Sequence, residues 1–112
     1  MIYIIDIDGT ICKEVFTPGG NGKKDYALHE PYYDRIAKVN TLYDAGHTIK
    51  YMTARGVSSG IDYRPLTEKQ LAQWGAKYHE LDVGKKPHYD LWIDDKAVWS
   101  ENFFRNTGET YE

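Results

Sequence analysis

Ile4-Ile5-Asp6-Ile7-Asp8-Gly9-Thr10 is the stretch that decides the fold of this chain, because an apolar run ends there in two acids. The β-branched residues 2–7 predict a buried strand. Alternate side chains of a strand share a face, so Asp6 and Asp8 are expected to point the same way, and Gly9 lets the chain turn sharply. Neighbouring carboxylates repel each other unless a cation or a reaction uses them, so this stretch predicts a functional site.

Composition restricts the class of protein. The chain has 112 residues, which predicts one domain over residues 1–112, and its net charge of −3 provides no basic patch for duplex nucleic acid. Cys12 is the only cysteine, so the chain can form neither an intrachain disulfide nor a cysteine zinc cluster. Asp6 interrupts the apolar start too early for a signal peptide or a membrane span. We therefore expect a cytoplasmic protein with no membrane partner.

Hydrophobic periodicity predicts strands that alternate with helices beyond the first strand. A helix is expected from Pro31 to the glycine at position 46, and a second from a capping box at residues 67–70 to Trp74-Gly75. Further strands are predicted at residues 47–52, 78–81 and 89–93. Residues 11–30 contain many turn residues and are expected to form a short flap loop. The alternation predicts an α/β fold, a Rossmann-like open parallel sheet with helices on both faces.

Polar motifs follow three of the predicted strands. They are Asp6/Asp8, Thr53/Arg55 and Asp94/Asp95. Ligands of open α/β sheets bind at the carboxyl ends of the strands, so the three motifs are expected to form one site. Four carboxylates at one rim would suit Mg²⁺, which prefers oxygen ligands in octahedral geometry. Asp6 could then attack phosphorus to form an aspartyl-phosphate, while Asp8 protonates the leaving oxygen and later activates water.

The remaining motif residues are suited to bind the phosphoryl group. Thr53 offers a hydroxyl, Ala54 and Gly9 offer backbone N–H groups, and Arg55 offers a planar fork, although Arg55 could equally pair with a surface carboxylate. A lysine of the Lys85-Lys86 pair would add positive charge and keep the attacking carboxylate ionised.

Four segments in order resemble the motifs of the haloacid dehalogenase-like (HAD) phosphohydrolases. They are Asp6-Ile7-Asp8-Gly9-Thr10, Thr53-Ala54-Arg55, Lys86-Pro87 and Ile93-Asp94-Asp95. The resemblance covers residues 1 to about 97. Residues 86–96 also look like the small HAD proteins of capsule and surface-polysaccharide gene clusters.

The resemblance implies a role for each motif residue. It makes Asp6 the nucleophile and a Mg²⁺ ligand, and Asp8 the acid/base and a Mg²⁺ ligand through its backbone carbonyl. Thr53 would bind the phosphoryl group. Lys86 is preferred to Lys85 as the catalytic lysine, because it directly precedes the proline. Asp94 and Asp95 would complete the metal site, and either of them could be the direct ligand.

The intervals between the motifs leave no room for a cap domain. Residues 11–30 are too few, and residues 56–84 are taken up by a predicted helix and strand. The resemblance therefore implies a HAD core without a cap, with an open active site. With an open site, the protein could be a monomer or a homo-oligomer in which a second subunit shields the site.

The leading functional hypothesis is a Mg²⁺-dependent phosphomonoester hydrolase acting on a small phosphorylated substrate. The resemblance points to a sugar phosphate in polysaccharide biosynthesis. A nucleotide or polynucleotide-end phosphatase is the alternative, because an open site admits bulky substrates. Two alternatives without turnover are a phospho-accepting receiver-like domain and a degenerate, binding-only member of the family.

The histidines and aromatic residues carry weaker signals. His29, His47, His79 and His88 lack metal-ligand spacing and are expected to be structural or exposed, although His29 and His88 lie near motifs and could contact substrate. Tyr26, Tyr32 and Tyr63 could stack on a sugar or lie at a subunit interface. We expect Trp74, Trp92 and Cys12 to be core residues.

Overall fold

The computed structural model describes residues 1–19, 22–87 and 89–105. In chain order its elements are β1 (Ile2–Asp6), β2 (Cys12–Lys13), a short 3-10 helix (Tyr26–Leu28), β3 (Glu30–Pro31), α1 (Tyr33–Asp44), β4 (Thr48–Thr53), α2 (Arg64–Gln73), β5 (Glu80–Val83) and α3 (Ser100–Arg105). The predicted α/β class is confirmed. Within these ranges, no helix has the length and apolar character needed to cross a bilayer.

The main sheet has three parallel strands in the order β1-β4-β5. Ile5 of β1 lies beside Tyr51 of β4, which in turn lies beside Leu81 of β5. Each strand therefore adds to the same side of its predecessor, through a helical crossover. Because such crossovers are right-handed, α1 and α2 both lie on the same face of the sheet. The parallel sheet predicted from the sequence is confirmed, and its carboxyl ends meet at one rim.

The core lies on the helical face of the sheet. Its buried residues are Ile5, Ile7, Ile11, Cys12, Ile36, Val39, Ile49, Tyr51, Leu71, Trp74 and Leu81. On the opposite face, Ile2 and Ile4 are each 65% exposed, and Lys50 pairs with Glu80 at 3.2 Å. The prediction of helices on both faces is therefore wrong for the described part of the chain. The strand order explains the difference, because both crossovers run in the same direction.

Several predicted boundaries move because of tertiary contacts. β1 ends at Asp6, so Asp8 lies in the turn beyond the strand. The second helix starts at Arg64 rather than at the predicted capping box, with Pro65 in its first turn. Thr67 lies inside that helix, where its buried hydroxyl donates to the Tyr63 carbonyl at 2.7 Å. The predicted start of the helix at the capping box is therefore wrong, because local propensity does not include such contacts.

Residues 89–93 do not form the predicted strand. Leu91, Trp92 and Ile93 are 76%, 50% and 88% exposed, so Trp92 is not a core residue, whereas Trp74 is. The Asp94 carboxylate accepts hydrogen bonds from Trp92 Nε1 at 3.1 Å and from the Lys96 N–H at 2.9 Å. These bonds hold a local turn, which competes with an extended strand.

The described residues of the flap, 11–19 and 22–30, pair as a hairpin where the sequence predicted a loop. β2 pairs with β3 in antiparallel fashion. The Thr17 N–H donates to the Lys23 carbonyl and the Asp25 N–H donates to the Val15 carbonyl, each at 2.8 Å. Its backbone hydrogen bonds give the flap a defined position beside the carboxyl rim of the sheet.

Cys12 is expected to resist alkylation in the folded protein. The side chain is fully buried, and burial raises the pKa of the thiol to about 12, so little reactive thiolate forms near neutral pH. Mass spectrometry after iodoacetamide treatment should give a rate at least about a hundredfold slower in buffer than in denaturing urea. Rapid alkylation of the folded protein would contradict this burial.

Candidate active site

The turn after β1 separates the two acids of the opening stretch. Gly9 has φ +80°, a conformation that residues with a Cβ rarely adopt, and its N–H donates to the Cys12 carbonyl at 3.0 Å. The turn directs the Asp8 carboxylate toward the end of β4, while Asp6 remains at the end of β1. Each of the two carboxylates has its own cationic partner, Lys86 for Asp6 and Arg55 for Asp8.

Lys86 is the partner of Asp6. Its Nζ lies 3.2 Å from Asp6 Oδ1, and its side chain is only 15% exposed. Burial raises the pKa of the Asp6 carboxyl above its usual range, and the Lys86 ammonium opposes that shift. Lys85 is 76% exposed and lies 3.9 Å from Asp82, a carboxylate on β5. The geometry therefore agrees with the preference for Lys86 over Lys85.

Asp8 is held by donors on β4 and the residues that follow it. Arg55 Nη2 donates to Asp8 Oδ1 at 2.8 Å, Arg55 Nε lies 3.2 Å from both carboxylate oxygens, and Thr53 Oγ1 donates to Oδ2 at 2.9 Å. Burial alone would raise the pKa of Asp8, but the bonds and charge of Arg55, with Thr53, hold it below its usual range. Asp8 is therefore a carboxylate in this arrangement.

Arg55 faces the protein interior, which differs from its expected role at the phosphoryl group. The residue is 1% exposed. Its Nη1 donates to Thr67 Oγ1 at 3.1 Å and to Gln70 Oε1 at 2.5 Å, and its guanidinium lies 4.8 Å from the centre of the Tyr26 ring. With its donors directed to Asp8 and α2, Arg55 positions Asp8 instead of contacting a ligand.

His29 joins the site from the flap, an arrangement that sequence reasoning left open but did not identify. Its Nδ1 accepts the Val15 N–H at 3.2 Å, so the neutral ring carries its proton on Nε2. That Nε2 lies 3.4 Å from Asp8 Oδ1, and the ring is buried. Burial lowers the pKa of His29, although the Asp8 carboxylate opposes the shift. The position of His29 in the flap was the one sequence signal for its contact with the site. The other histidine expected near a motif, His88, lies outside the described residues.

The other predicted phosphate ligands also have partners. The Thr53 hydroxyl donates to Asp8 and accepts the Arg55 N–H at 3.2 Å, and the Gly9 N–H is bound to the Cys12 carbonyl. Ala54 is exposed at the rim. Of these predicted phosphate ligands, Ala54 is thus the one with an open position.

Asp94 and Asp95 are not brought to the acid pair. Both are exposed, and the Asp94 side chain makes the local turn described above. Within residues 1–19, 22–87 and 89–105, no group of three or more His, Cys, Asp or Glu side chains is arranged to hold a metal ion. The residues as placed therefore do not fit the implied Mg²⁺ site. Lys86 beside Asp6 and Arg55 beside Asp8 offset the repulsion between the two carboxylates.

The fold and the site together define an α/β protein with an open parallel sheet and an acid–cation site at its carboxyl rim. No protein-family model matches the chain, and no curated protein matches it. The chain is similar in structure to a structural-genomics target from Vibrio cholerae, with a TM-score of 0.77 and 26% sequence identity. The similarity covers 96% of this chain and 89% of that one, and it supports a Rossmann-like α/β fold over nearly the whole chain.

Proposed function

We propose that this protein is a phosphomonoester hydrolase that acts through an aspartyl-phosphate on Asp6. The supporting observation is the Asp6–Lys86 ion pair at the end of β1, with 3.2 Å between Nζ and Oδ1. Asp6 keeps 34% of its side chain exposed at the rim, so a substrate can reach the carboxylate. Open α/β sheets bind ligands at this edge, where an ammonium beside a carboxylate can also neutralise a phosphoryl group.

The proposed reaction has two displacement steps. In the first, an Asp6 carboxylate oxygen attacks phosphorus and the bond from phosphorus to the leaving oxygen breaks. Asp8, a carboxylate before the substrate binds, passes to that oxygen a proton that it takes from the phosphate monoanion. In the second, Asp8 accepts a proton from water, whose oxygen attacks phosphorus. The bond to Asp6 then breaks, and the proton on Asp8 passes to the departing inorganic phosphate, which restores the Asp8 carboxylate. Lys86 offsets negative charge on the phosphoryl oxygens in both steps.

The surroundings of Asp8 support its role in the second step. Arg55 and Thr53 donate hydrogen bonds to this carboxylate, and His29 Nε2 lies 3.4 Å from it without a hydrogen bond. Donors favour the ionised form, which is the form that can accept a proton from water. The same contacts fix the orientation of the carboxylate, because Arg55 is itself held by α2.

The proposed substrate is a small phosphorylated metabolite. A sugar phosphate in polysaccharide biosynthesis follows from the resemblance to HAD phosphatases, and a nucleotide remains the alternative. A receiver-like domain would give a stable phosphoprotein without turnover, and a binding-only protein would release no phosphate. Assays with and without Mg²⁺ would decide whether the metal implied by the resemblance is required.

Exchange of Lys86 for Ala tests the proposal directly. The Lys86→Ala variant should lose about a hundredfold in kcat/KM for p-nitrophenyl phosphate, because the charge beside Asp6 and the phosphoryl group is removed. The matched Lys85→Ala variant should stay within about twofold of the wild type, because Lys85 is exposed and directed to Asp82. Equal losses in both variants, or none in Lys86→Ala, would reject the assigned role.

A further inference from the structure

A cleft of about 540 Å³ opens beside the acid–cation site. It lies between the flap, which contributes Lys23, Lys24 and Tyr26, and the segment that follows β4, which reaches Tyr63. Its volume is in the range of small-molecule sites. The proposed hydrolysis uses none of the residues that these two segments contribute to the cleft.

The inner end of the cleft touches the residues that hold Asp8. Tyr26 lies under the Arg55 guanidinium at 4.8 Å and packs edge-on against His29 with 5.4 Å between ring centres. Ala54, which also lines the cleft, is the residue between Thr53 and Arg55. The cleft therefore adjoins the Asp8 side of the site and offers space for the rest of a substrate whose phosphoryl group lies at the rim.

The wall formed after β4 has a fixed shape. Gly56 has φ +90°, and a Cβ built there would lie 2.2 Å from the Ile61 carbonyl oxygen. The Gly60 N–H donates to the Gly56 carbonyl at 2.9 Å, which closes the loop on itself. The tight contact leaves no space for a side chain, so the loop presents a preformed surface to a ligand.

The chemistry of the lining points to an anionic group on a ring. Lys23 and Lys24 are the charged residues of the lining, and no acid lines the cleft within the described ranges, although the protein is net negative. Lys24 is oriented by Glu14, at 3.0 Å. Tyr26 and Tyr63 lie edge to face with 4.9 Å between ring centres, so a tyrosine ring lines the same space as the ammonium groups. Aromatic faces bind sugar rings and bases, while ammonium groups bind carboxylates and phosphates.

Serine hydroxyls complete the lining. Ser58 and Ser59 both border the cleft, and Ser59 Oγ accepts the Ile61 N–H at 3.2 Å. A hydroxyl donates as well as accepts, so these side chains are suited to the hydroxyl groups of a sugar or a ribose.

We propose that this cleft binds the leaving group of the phosphomonoester and selects leaving groups that carry a second anionic group on a ring. The inference rests on the proposed phosphatase function and adds the substrate class to it. A sugar acid phosphate and a nucleoside bisphosphate share this chemistry. The second anion binds Lys23 and Lys24, and the ring lies against Tyr26 and Tyr63.

Two matched substrate pairs test the inference by turnover. Glucuronic acid 1-phosphate is compared with glucose 1-phosphate, and adenosine 3′,5′-bisphosphate with adenosine 3′-phosphate. The wild type should prefer the more anionic member of at least one pair by about tenfold in kcat/KM, and that pair identifies the source of the anion. The Lys23→Ala/Lys24→Ala variant should lose this preference. The Lys77→Ala control, which removes an exposed lysine paired with Asp44, should keep it.

Calorimetric titration of the Asp6→Asn variant tests the same preference without turnover. The member with the second anionic group should bind about tenfold more tightly than the member without it, and Lys23→Glu/Lys24→Glu in the same background should reverse the order. Hydrolysis of p-nitrophenyl phosphate with no preference in turnover or titration would overturn the inference and leave the proposed function intact. No hydrolysis at all, with the binding preference present, would reject the phosphatase function and retain the anion-binding cleft. Absence of any preference in titration overturns the inference in either case.

Discussion

Replacement of Asp6 by Asn is expected to lower kcat for phosphate release by at least about a thousandfold. An amide cannot form the acyl phosphate, and its oxygen is a much weaker nucleophile than a carboxylate oxygen. Release of p-nitrophenol from p-nitrophenyl phosphate measures the effect. Because asparagine keeps the size of the side chain and a carbonyl oxygen that can accept a hydrogen bond from Lys86, we expect the variant to fold and to bind phosphate esters.

Asp82→Asn is the matched control for this experiment. Asp82 lies on β5 with a side chain 49% exposed, and its ion pair is the 3.9 Å contact with Lys85. Its removal should leave kcat within about twofold of the wild type. Circular dichroism confirms that both variants fold. Retention of wild-type turnover by Asp6→Asn would remove this residue from the mechanism.

Replacement of Arg55 by Met should lower the free energy of unfolding by about 3–5 kcal/mol, the largest stability effect that we expect. The guanidinium binds Asp8, Thr67 and Gln70 in the interior, so its loss leaves a buried carboxylate without its cation. Methionine preserves much of the volume, so the loss reports the missing charge more than a cavity. Urea denaturation followed by tryptophan fluorescence measures the change.

An exposed ion pair provides the control. Lys77→Met breaks a pair with Asp44 in which both side chains are at least half exposed, and it should cost no more than about 1 kcal/mol. Addition of Asp8→Asn to Arg55→Met should recover part of the loss, because the unpaired charge is removed. If Arg55→Met lowers the free energy of unfolding no more than Lys77→Met does, the bonds of Arg55 to Asp8, Thr67 and Gln70 do not stabilise the fold as proposed.

The pKa of Asp8 determines the pH dependence of this stabilisation. The folded pKa lies below the ordinary carboxyl value of about 3.9, so the unfolded chain binds the proton more readily. The Arg55–Asp8 pair therefore contributes its full stabilisation at pH values above the ordinary carboxyl pKa. This stabilisation is lost as the pH falls through the lower pKa of Asp8 in the folded protein. The stability difference between wild type and Arg55→Met should narrow over this acidic range.

Regular elements with strong local signals could be predicted from the sequence. The apolar β-branched run produced β1, and the helical spacing of Ile36 and Val39 produced α1, in which both are buried. These predictions succeed because burial of one face follows directly from the spacing of the apolar residues. The parallel order follows from the same alternation, since strands joined by helices pair in parallel.

The direction of the long polar side chains could not be predicted. Arg55 follows β4 by two residues, a position from which its side chain could reach either solvent or the interior. The choice depends on Thr67 and Gln70, which lie on α2 and meet Arg55 only after the sheet and helix have packed. His29 depends in the same way on the flap hairpin, which orients its ring through the Val15 N–H.

The strand predicted over residues 89–93 does not form, for a different reason. Its apolar run has the composition of a strand, but a strand also needs a neighbour with which to exchange hydrogen bonds. In the structure the run is exposed, and Asp94 closes a turn with Trp92 and Lys96. A strand over residues 89–93 would have brought Asp94 and Asp95 to the carboxyl rim as metal ligands. Because the described residues form no strand there, the two acids do not reach the rim.

Chemical trapping tests whether an aspartyl-phosphate forms on Asp6. Wild type and Asp8→Asn are mixed with p-nitrophenyl phosphate, quenched in acid and reduced with borohydride, which converts an acyl phosphate of aspartate to homoserine. Asp8→Asn should accumulate more of the intermediate, because activation of water is slowed. Peptide mass spectrometry should find homoserine at position 6 only when substrate is present. Phosphate release with Asp6 recovered unmodified in every sample, or modification at another residue, would contradict the account.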